Sequence, residues 1–316
     1  MPAAVNVSPA LAPAVQLCEV GPRDGLQNEP ARLPLGVRRE LIERLADCGL
    51  RQIESGAFVA PERIPQMADS AQLLALLATS ASLREVALPV LTPNLRGYLA
   101  AVQAGAKRVA VFAAASETFS QKNINCSISD SLRRFEPVLA AARAAQIPVR
   151  GYLSCVVACP YEGPIAPTVV AALAAELTNM GCYEISLGDT IGVGTPGTVL
   201  PLLEAVTRLV PAAQLAGHFH DTYGMAVTNV YAAYGFGVRT FDASVAGLGG
   251  CPYAPGASGN VATEDLVYLF EGLGVSTGVD LDALISCGSW ICEQLGRSSS
   301  SRVAQSRAAR LRLGTA

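Results

Sequence analysis

The chain has 316 residues, of which 51% are apolar and 16% charged, with a formal net charge of −3. That length suits one large domain or two ordinary ones, and the apolar fraction allows a sizeable core. A slightly acidic chain with thinly spread lysine and arginine, apart from the tail stretch Arg302 to Arg312, argues against nucleic acid, which needs a clustered basic face.

No apolar run reaches the roughly 18 residues required to cross a bilayer, so no membrane partner is expected. Residues 1–14 have neither a basic n-region nor an arginine-rich amphipathic character, and read as a disordered lead-in. Nine cysteines, an odd number with no C-x-x-C pair, suit free thiols in a reducing compartment. A cytoplasmic location is expected.

Short apolar runs recur along the chain: "VQLCEVG" (15–21), "RQIESGAFV" (51–59), "REVALPVL" (84–91) and "RVAVFAAA" (108–115). They continue with "VRGYLSCVV" (149–157), "CYEISLGDT" (182–190), "LAGHFHDT" (215–222) and "FDASVAGL" (241–248). Between them lie longer amphipathic stretches such as "LGVRRELIERLADCGL" (35–50) and "APTVVAALAAELTNMG" (166–181), many closing on a glycine as helices do. Runs too apolar for a half-wet sheet, alternating with helices, imply parallel strands covered on both faces. Eight such units predict an α/β fold, a (β/α)8 TIM barrel, over residues 15–274, with a doubly wound open sheet as the alternative. Residues 263–274 supply the eighth helix. Residues 275–316 form a C-terminal helical extension, with an added helix at 281–296. The serine-rich stretch 297–302 and the tail after it read as weakly structured.

Polar residues collect at the C-terminal ends of these strands, where barrel sites are built. Strand 1 ends in Glu19, Arg23 and Asp24, strand 2 carries Glu54, strand 6 ends in Asp189, and strand 7 ends in "HFHD". His218 and His220 are the only histidines in the chain. Two apart on a strand, they face the same side and can share one ion. Asp221 takes the opposite face and is left out of the ligand set. Asp24, across the barrel seam, and Asn260, after strand 8, supply candidate oxygen ligands. Two nitrogens and two oxygens suit Mg²⁺ or Mn²⁺, with zinc and iron as alternatives.

Arg23 reads either as a salt-bridge partner of Asp24 or as a guanidinium facing developing negative charge. Glu54 reads as a carboxylate orienting Arg23 or a metal-bound water. The glycine-rich stretch "GLGGCPYAPGASGN" (247–260) lacks the phosphate-loop order and suits a lid, with Cys251 at its tip as an acid or base.

"EVGPRDGLQNE" (19–29), "GHFHD" (217–221) and "SVAGLGGCPYAPGASGNVATEDLVY" (244–268) resemble the hydroxymethylglutaryl-CoA lyase family, TIM-barrel enzymes that use a metal to cleave carbon–carbon bonds. The likeness runs from about Val15 to Gln305. It implies a divalent cation, Mg²⁺ or Mn²⁺, on Asp24, His218, His220 and Asn260, with Arg23 stabilising the enolate of acetyl-CoA. It further implies proton transfer by Cys251, a need for Glu54 and Asp189, and substrate contacts from Asn123, Gly249 and Gly250. The substrate implied is (S)-3-hydroxy-3-methylglutaryl-CoA, in leucine catabolism and ketone-body formation, and the assembly implied is a homodimer; the apolar helix 281–296 is a candidate contact, with packing inside the chain explaining it equally well. A lyase for a longer-branched analogue such as 3-hydroxy-3-isohexenylglutaryl-CoA, a Claisen-type synthase, a pyruvate-type aldolase and an inactive scaffold are the rival readings. Two departures from the family pattern stand out. Pro30 replaces a lysine that several relatives carry, where a CoA phosphate contact is expected. The tail also lacks the cysteine linked to thiol regulation in animal members.

Overall fold

The computed structural model describes residues 14–250 and 259–313. Strands β1 (Gln16–Glu19), β2 (Gln52–Ile53 continuing into Gly56–Ala57), β3 (Val90–Leu91) and β4 (Val109–Ala114) are followed by β5 (Val149–Ser154), β6 (Cys182–Asp189), β7 (Leu215–Phe219) and β8 (Thr240–Ala243). All pair in parallel, and β1 lies beside β8. The two halves of β2 sit at opposite edges of the sheet order, Gln52–Ile53 against β1 and Gly56–Ala57 against β3. Glu54 donates its N–H to Glu19 while Ile53 and Ser55 donate to Ala87 and Pro89. One physical strand therefore bonds both edges and closes the barrel, as the eight apolar runs predict.

The strands are short where the sequence breaks the ladder. In the run 84–91 only Val90–Leu91 is regular strand, because Pro89 has no N–H to donate. Helix α1 (Leu35–Asp47) begins a ring with α2 (Ser70–Leu77), α3 (Leu95–Gln103), α4 (Glu117–Ile124) and α5 (Ile128–Ala144). It continues with α6 (Pro167–Met180), α7 (Pro196–Val206), α8 (Ala226–Phe236) and α9 (Thr263–Gly272). Each helix turns its apolar stripe inward, as Leu41, Ile42 and Leu45 of α1 do, all fully buried. Among the described residues no helix is long and apolar enough to cross a membrane, and all eight described cysteines are free and buried.

Helix α10 (Leu281–Leu295) lies where the extension was expected. Its apolar face, with Leu284, Cys287, Gly288 and Ile291, packs onto the barrel, and Arg44 of α1 stacks 4.5 Å over the Trp290 ring. The face that stood as a candidate dimer contact is thus occupied within the chain. The tail expected to be weakly structured instead carries α11 (Arg302–Leu313). Asp265 of α9 supplies the reason: its carboxylate accepts from the Ser301 hydroxyl (2.7 Å) and from the backbone N–H groups of Arg302 (3.1 Å) and Val303 (3.0 Å). A carboxylate there satisfies the open donors and faces the positive end of the dipole. No local sequence signal announces a cap that comes from another helix.

Candidate metal centre

The site begins in the turn after β1. Residues Gly21–Gly25 wind as a single π-type turn, closed by Gly25 N–H to Val20 C=O at 3.1 Å. Wide turns of this kind recur at functional sites because they re-aim side chains. Here the turn directs Arg23 and Asp24 at the barrel mouth. Glycine is needed at both ends: a Cβ on Gly21 would lie 2.5 Å from Glu19 Oε1, and one on Gly25 2.9 Å from Leu248 Cβ.

His218 and His220 converge from β7, their Nε2 atoms 3.3 Å apart. Ligand atoms of Asp24, His218 and His220 all lie within 4.8 Å of one another. Asn260 joins the group through its amide, Nδ2 donating to Asp24 Oδ2 at 2.9 Å and to Leu248 C=O at 3.3 Å. It reaches this point because it bridges to His220 as the chain returns to the barrel rim. Asp221 turns away and caps α8, accepting from Ala226 N–H at 3.0 Å. Its exclusion from the ligand set matches this orientation.

Charge is concentrated. Arg23 Nη1 donates to Asp24 Oδ1 at 2.8 Å, and its Nη2 pairs with the wholly buried Glu54 at 2.7 Å. Burial opposes the Arg23 charge, but Glu54 and Asp24 outweigh it and hold the guanidinium protonated. Burial likewise works against Asp24, yet Arg23 and the two histidines keep it below the usual carboxylate range. Glu54 moves the other way, because desolvation exceeds the pull of Arg23. Burial and the neighbouring His218 push His220 down to about 4, so its ring is neutral at physiological pH. A neutral imidazole, a low-pKa carboxylate and a second imidazole edge within one small volume are a donor set suited to a divalent cation.

The other predicted residues divide. Asn123 and Gly250 line a cavity of 720 Å³ together with Arg23, Asp24, His218 and His220. Gly249, at φ +117°, packs against Asn260 at the root of the 250–260 segment. Asp189 ends β6 as expected, but its carboxylate accepts the N–H groups of Gly194 (2.7 Å) and Val193 (3.3 Å), which clamps the following loop. It is fully buried and does not line the cavity. Cys251 lies outside the described residues.

Four buried polar residues beneath the histidines drew no role from the sequence. Asp242 of β8, Arg150 of β5, Ser186 of β6 and Glu184 of β6 form one connected network. A register shift between β5 and β6 skips Tyr183 and sets Arg150 opposite Glu184. The available signal was a charge inside each of three apolar runs, since buried opposite charges must find each other. Tyr152 lies between two guanidiniums, with Arg150 4.9 Å and Arg23 5.5 Å from its ring centroid.

The family model described as HMGL-like matches residues 14–291. A hydroxymethylglutaryl-CoA lyase of Pseudomonas mevalonii is 58% identical over 94% of this chain and 98% of its own length. A Pseudomonas aeruginosa protein named 3-hydroxy-3-isohexenylglutaryl-CoA/hydroxymethylglutaryl-CoA lyase is 56% identical over 92% and 96%. The chain spans 63% of the length of the mitochondrial hydroxymethylglutaryl-CoA lyase of Arabidopsis thaliana, at 55% identity. A solved hydroxymethylglutaryl-CoA lyase from Pseudomonas aeruginosa superimposes with a TM-score of 0.92 and 55% identity, over 95% of this chain and 99% of that one.

Proposed function

The chain belongs to the HMGL-like family, and from that premise we infer that its barrel-mouth site cleaves (S)-3-hydroxy-3-methylglutaryl-CoA to acetoacetate and acetyl-CoA. The observation that carries this reading is the convergence of Arg23 on the Asp24, His218 and His220 cluster at one end of a 720 Å³ cavity.

Asp24, His218 and His220, with Asn260 beside them, would hold a divalent cation, for which we propose Mg²⁺ or Mn²⁺. When bound, such an ion acts as a Lewis acid that lowers the pKa of the substrate's tertiary hydroxyl. The chain's own residues account for the rest. Asp24 is the only carboxylate among the described residues that line the cavity, so the hydroxyl proton passes to it. Loss of that proton lets the C3–O bond become a carbonyl as C2–C3 breaks, releasing acetoacetate. The electron pair moves to C2 and onto the thioester oxygen of acetyl-CoA. Arg23, locked by Glu54 and protonated throughout, faces that oxygen; a fixed charge already in place needs no reorganisation as the enolate forms. A proton delivered to C2 completes acetyl-CoA, and Cys251 is the group we assign to that step.

The apolar wall formed by Leu91, Phe112, Phe119 and Leu153 supports a second reading, in which a longer branch such as isohexenyl is also accepted. Comparing kcat/KM on the methyl and isohexenyl substrates separates the two. Divalent-metal-dependent release of acetyl-CoA from the pure S isomer is the primary test. No release at any metal concentration would end the lyase reading. With this activity we propose a role in leucine breakdown and ketone-body formation, a cytoplasmic location consistent with the buried free thiols, and a homodimer, to be checked by sedimentation equilibrium.

A further inference from the structure

The register of β7 and β8 sets His218 directly opposite Asp242. His218 Nδ1 lies 3.1 Å from Asp242 Oδ2. A carboxylate only accepts, and a neutral imidazole has one N–H. In a neutral His218 the contact therefore requires the proton on Nδ1, which leaves Nε2, 3.3 Å from His220 Nε2, with the lone pair. The other tautomer would set two lone pairs against each other at 3.1 Å.

Asp242 is itself immobilised. Its Oδ1 accepts from Arg150 Nη2 at 2.7 Å, and its Oδ2 accepts from Ser186 Oγ at 2.6 Å and from Arg150 Nη1 at 3.1 Å. Arg150 is anchored in turn by Glu184 at 2.7 Å and the Tyr152 hydroxyl at 3.0 Å. Four strands, β5 to β8, thus contribute to one brace, and the carboxylate is 1% exposed. Asp242 does not line the cavity and reaches the ligand cluster through His218.

We propose that Asp242, held by Arg150 and Ser186, is a positioning residue that fixes His218 as its Nδ1–H tautomer and so presents Nε2 as a metal ligand. This rests on the metal reading given above. Partners of this kind beneath a ligating histidine typically carry about 10- to 100-fold in metal affinity.

The test uses the fact that the chain's two histidines both lie in the site. Metal-free full-length protein labelled with ¹⁵N-histidine gives two imidazole spin systems, read by long-range ¹H–¹⁵N correlation at about pH 9, above the ordinary imidazole range. The expected result is one ring protonated at Nδ1 whose signal moves toward the Nε2–H pattern in Asp242→Ala. Mn²⁺ affinity, measured by titration of the same samples, should fall about 10- to 100-fold. Asp242→Ala strands Arg150 and can misfold, so Ser186→Ala serves as the milder variant: the carboxylate stays, the tautomer should persist, and affinity should fall by less. Two rings protonated at Nε2 in the unsubstituted protein would overturn the proposal without any variant. So would a folded Asp242→Ala that binds Mn²⁺ undiminished. Failure of the unsubstituted protein to bind Mn²⁺ would instead overturn the metal reading, with the tautomer pattern still deciding the brace.

Discussion

Arg23 and Glu54 form an ion pair 2.7 Å long in which the carboxylate is wholly shut off from solvent and the guanidinium nearly so. Removing one member of a buried pair leaves a charge with no partner, at a cost of about 3–5 kcal/mol. Arg23→Ala should therefore lose both stability and activity, the latter by about 10²- to 10³-fold in kcat if the guanidinium meets the enolate oxygen. Arg23→Ala combined with Glu54→Gln should recover much of the stability and none of the activity. Chemical denaturation and initial rates on the same preparations check this; parallel recovery of both would show that Arg23 is only structural.

Loading the metal centre should be visible in stability alone. An ion at about 100 times its Kd adds about 2.7 kcal/mol to the folded state. Thermal unfolding with and without Mn²⁺ should show that gain in the unsubstituted protein and its loss in His220→Ala. An equal gain in both would place the ion elsewhere.

Cys251→Ala should depress turnover strongly while leaving Mn²⁺ affinity unchanged, because its assigned role is proton delivery to carbon. A parallel loss of metal affinity would contradict that assignment.

The two stems of the 250–260 segment meet glycine to glycine. A Cβ on Gly259 would lie 2.4 Å from the Gly249 backbone, a contact no flexible side chain can relieve. Gly259→Ala should cost about 1–3 kcal/mol, as overpacking does, and displace the adjacent Asn260 from Asp24. Wild-type stability together with wild-type metal affinity in this variant would show that the close approach is dispensable.

Glu264, fully buried, accepts the Ala246 N–H, yet desolvation pushes its carboxyl up to about 8. A carboxyl whose folded pKa lies above its unfolded value binds more protons in the native state. Its contribution to stability is present at low pH and is lost as pH rises from the unfolded value toward about 8. Glu19, raised to about 7 by burial, adds in the same direction. Unfolding free energy should fall between about pH 5 and 8 with a slope of up to about 1.4 kcal/mol per unit from each group. Glu264→Gln should flatten that slope. Parallel pH profiles for the two proteins would remove Glu264 from the account.

Much of this was legible in the chain itself. Strands buried on both faces must be almost continuously apolar, so each barrel strand announces itself as a run, and a polar residue at its end is conspicuous. His218, His220, Asp24 and Arg23 stood out for that reason, and period-two alternation sufficed to set the histidines together and Asp221 apart. Alternation is local, and what it cannot reach is which buried groups meet across the barrel. Arg150 and Asp242 are 92 positions apart and pair across the barrel interior, while a one-residue slip at Tyr183 sets Arg150 opposite Glu184. Asp189 occupies the expected strand end, but loop 190–194 folds back to take its carboxylate. The tail becomes a helix because Asp265, on a different helix, caps it. Local pattern thus determined the barrel elements and the polar residues at the barrel mouth. Tertiary structure alone decided their partners, because a buried donor or charge is satisfied by whatever lies next to it in space.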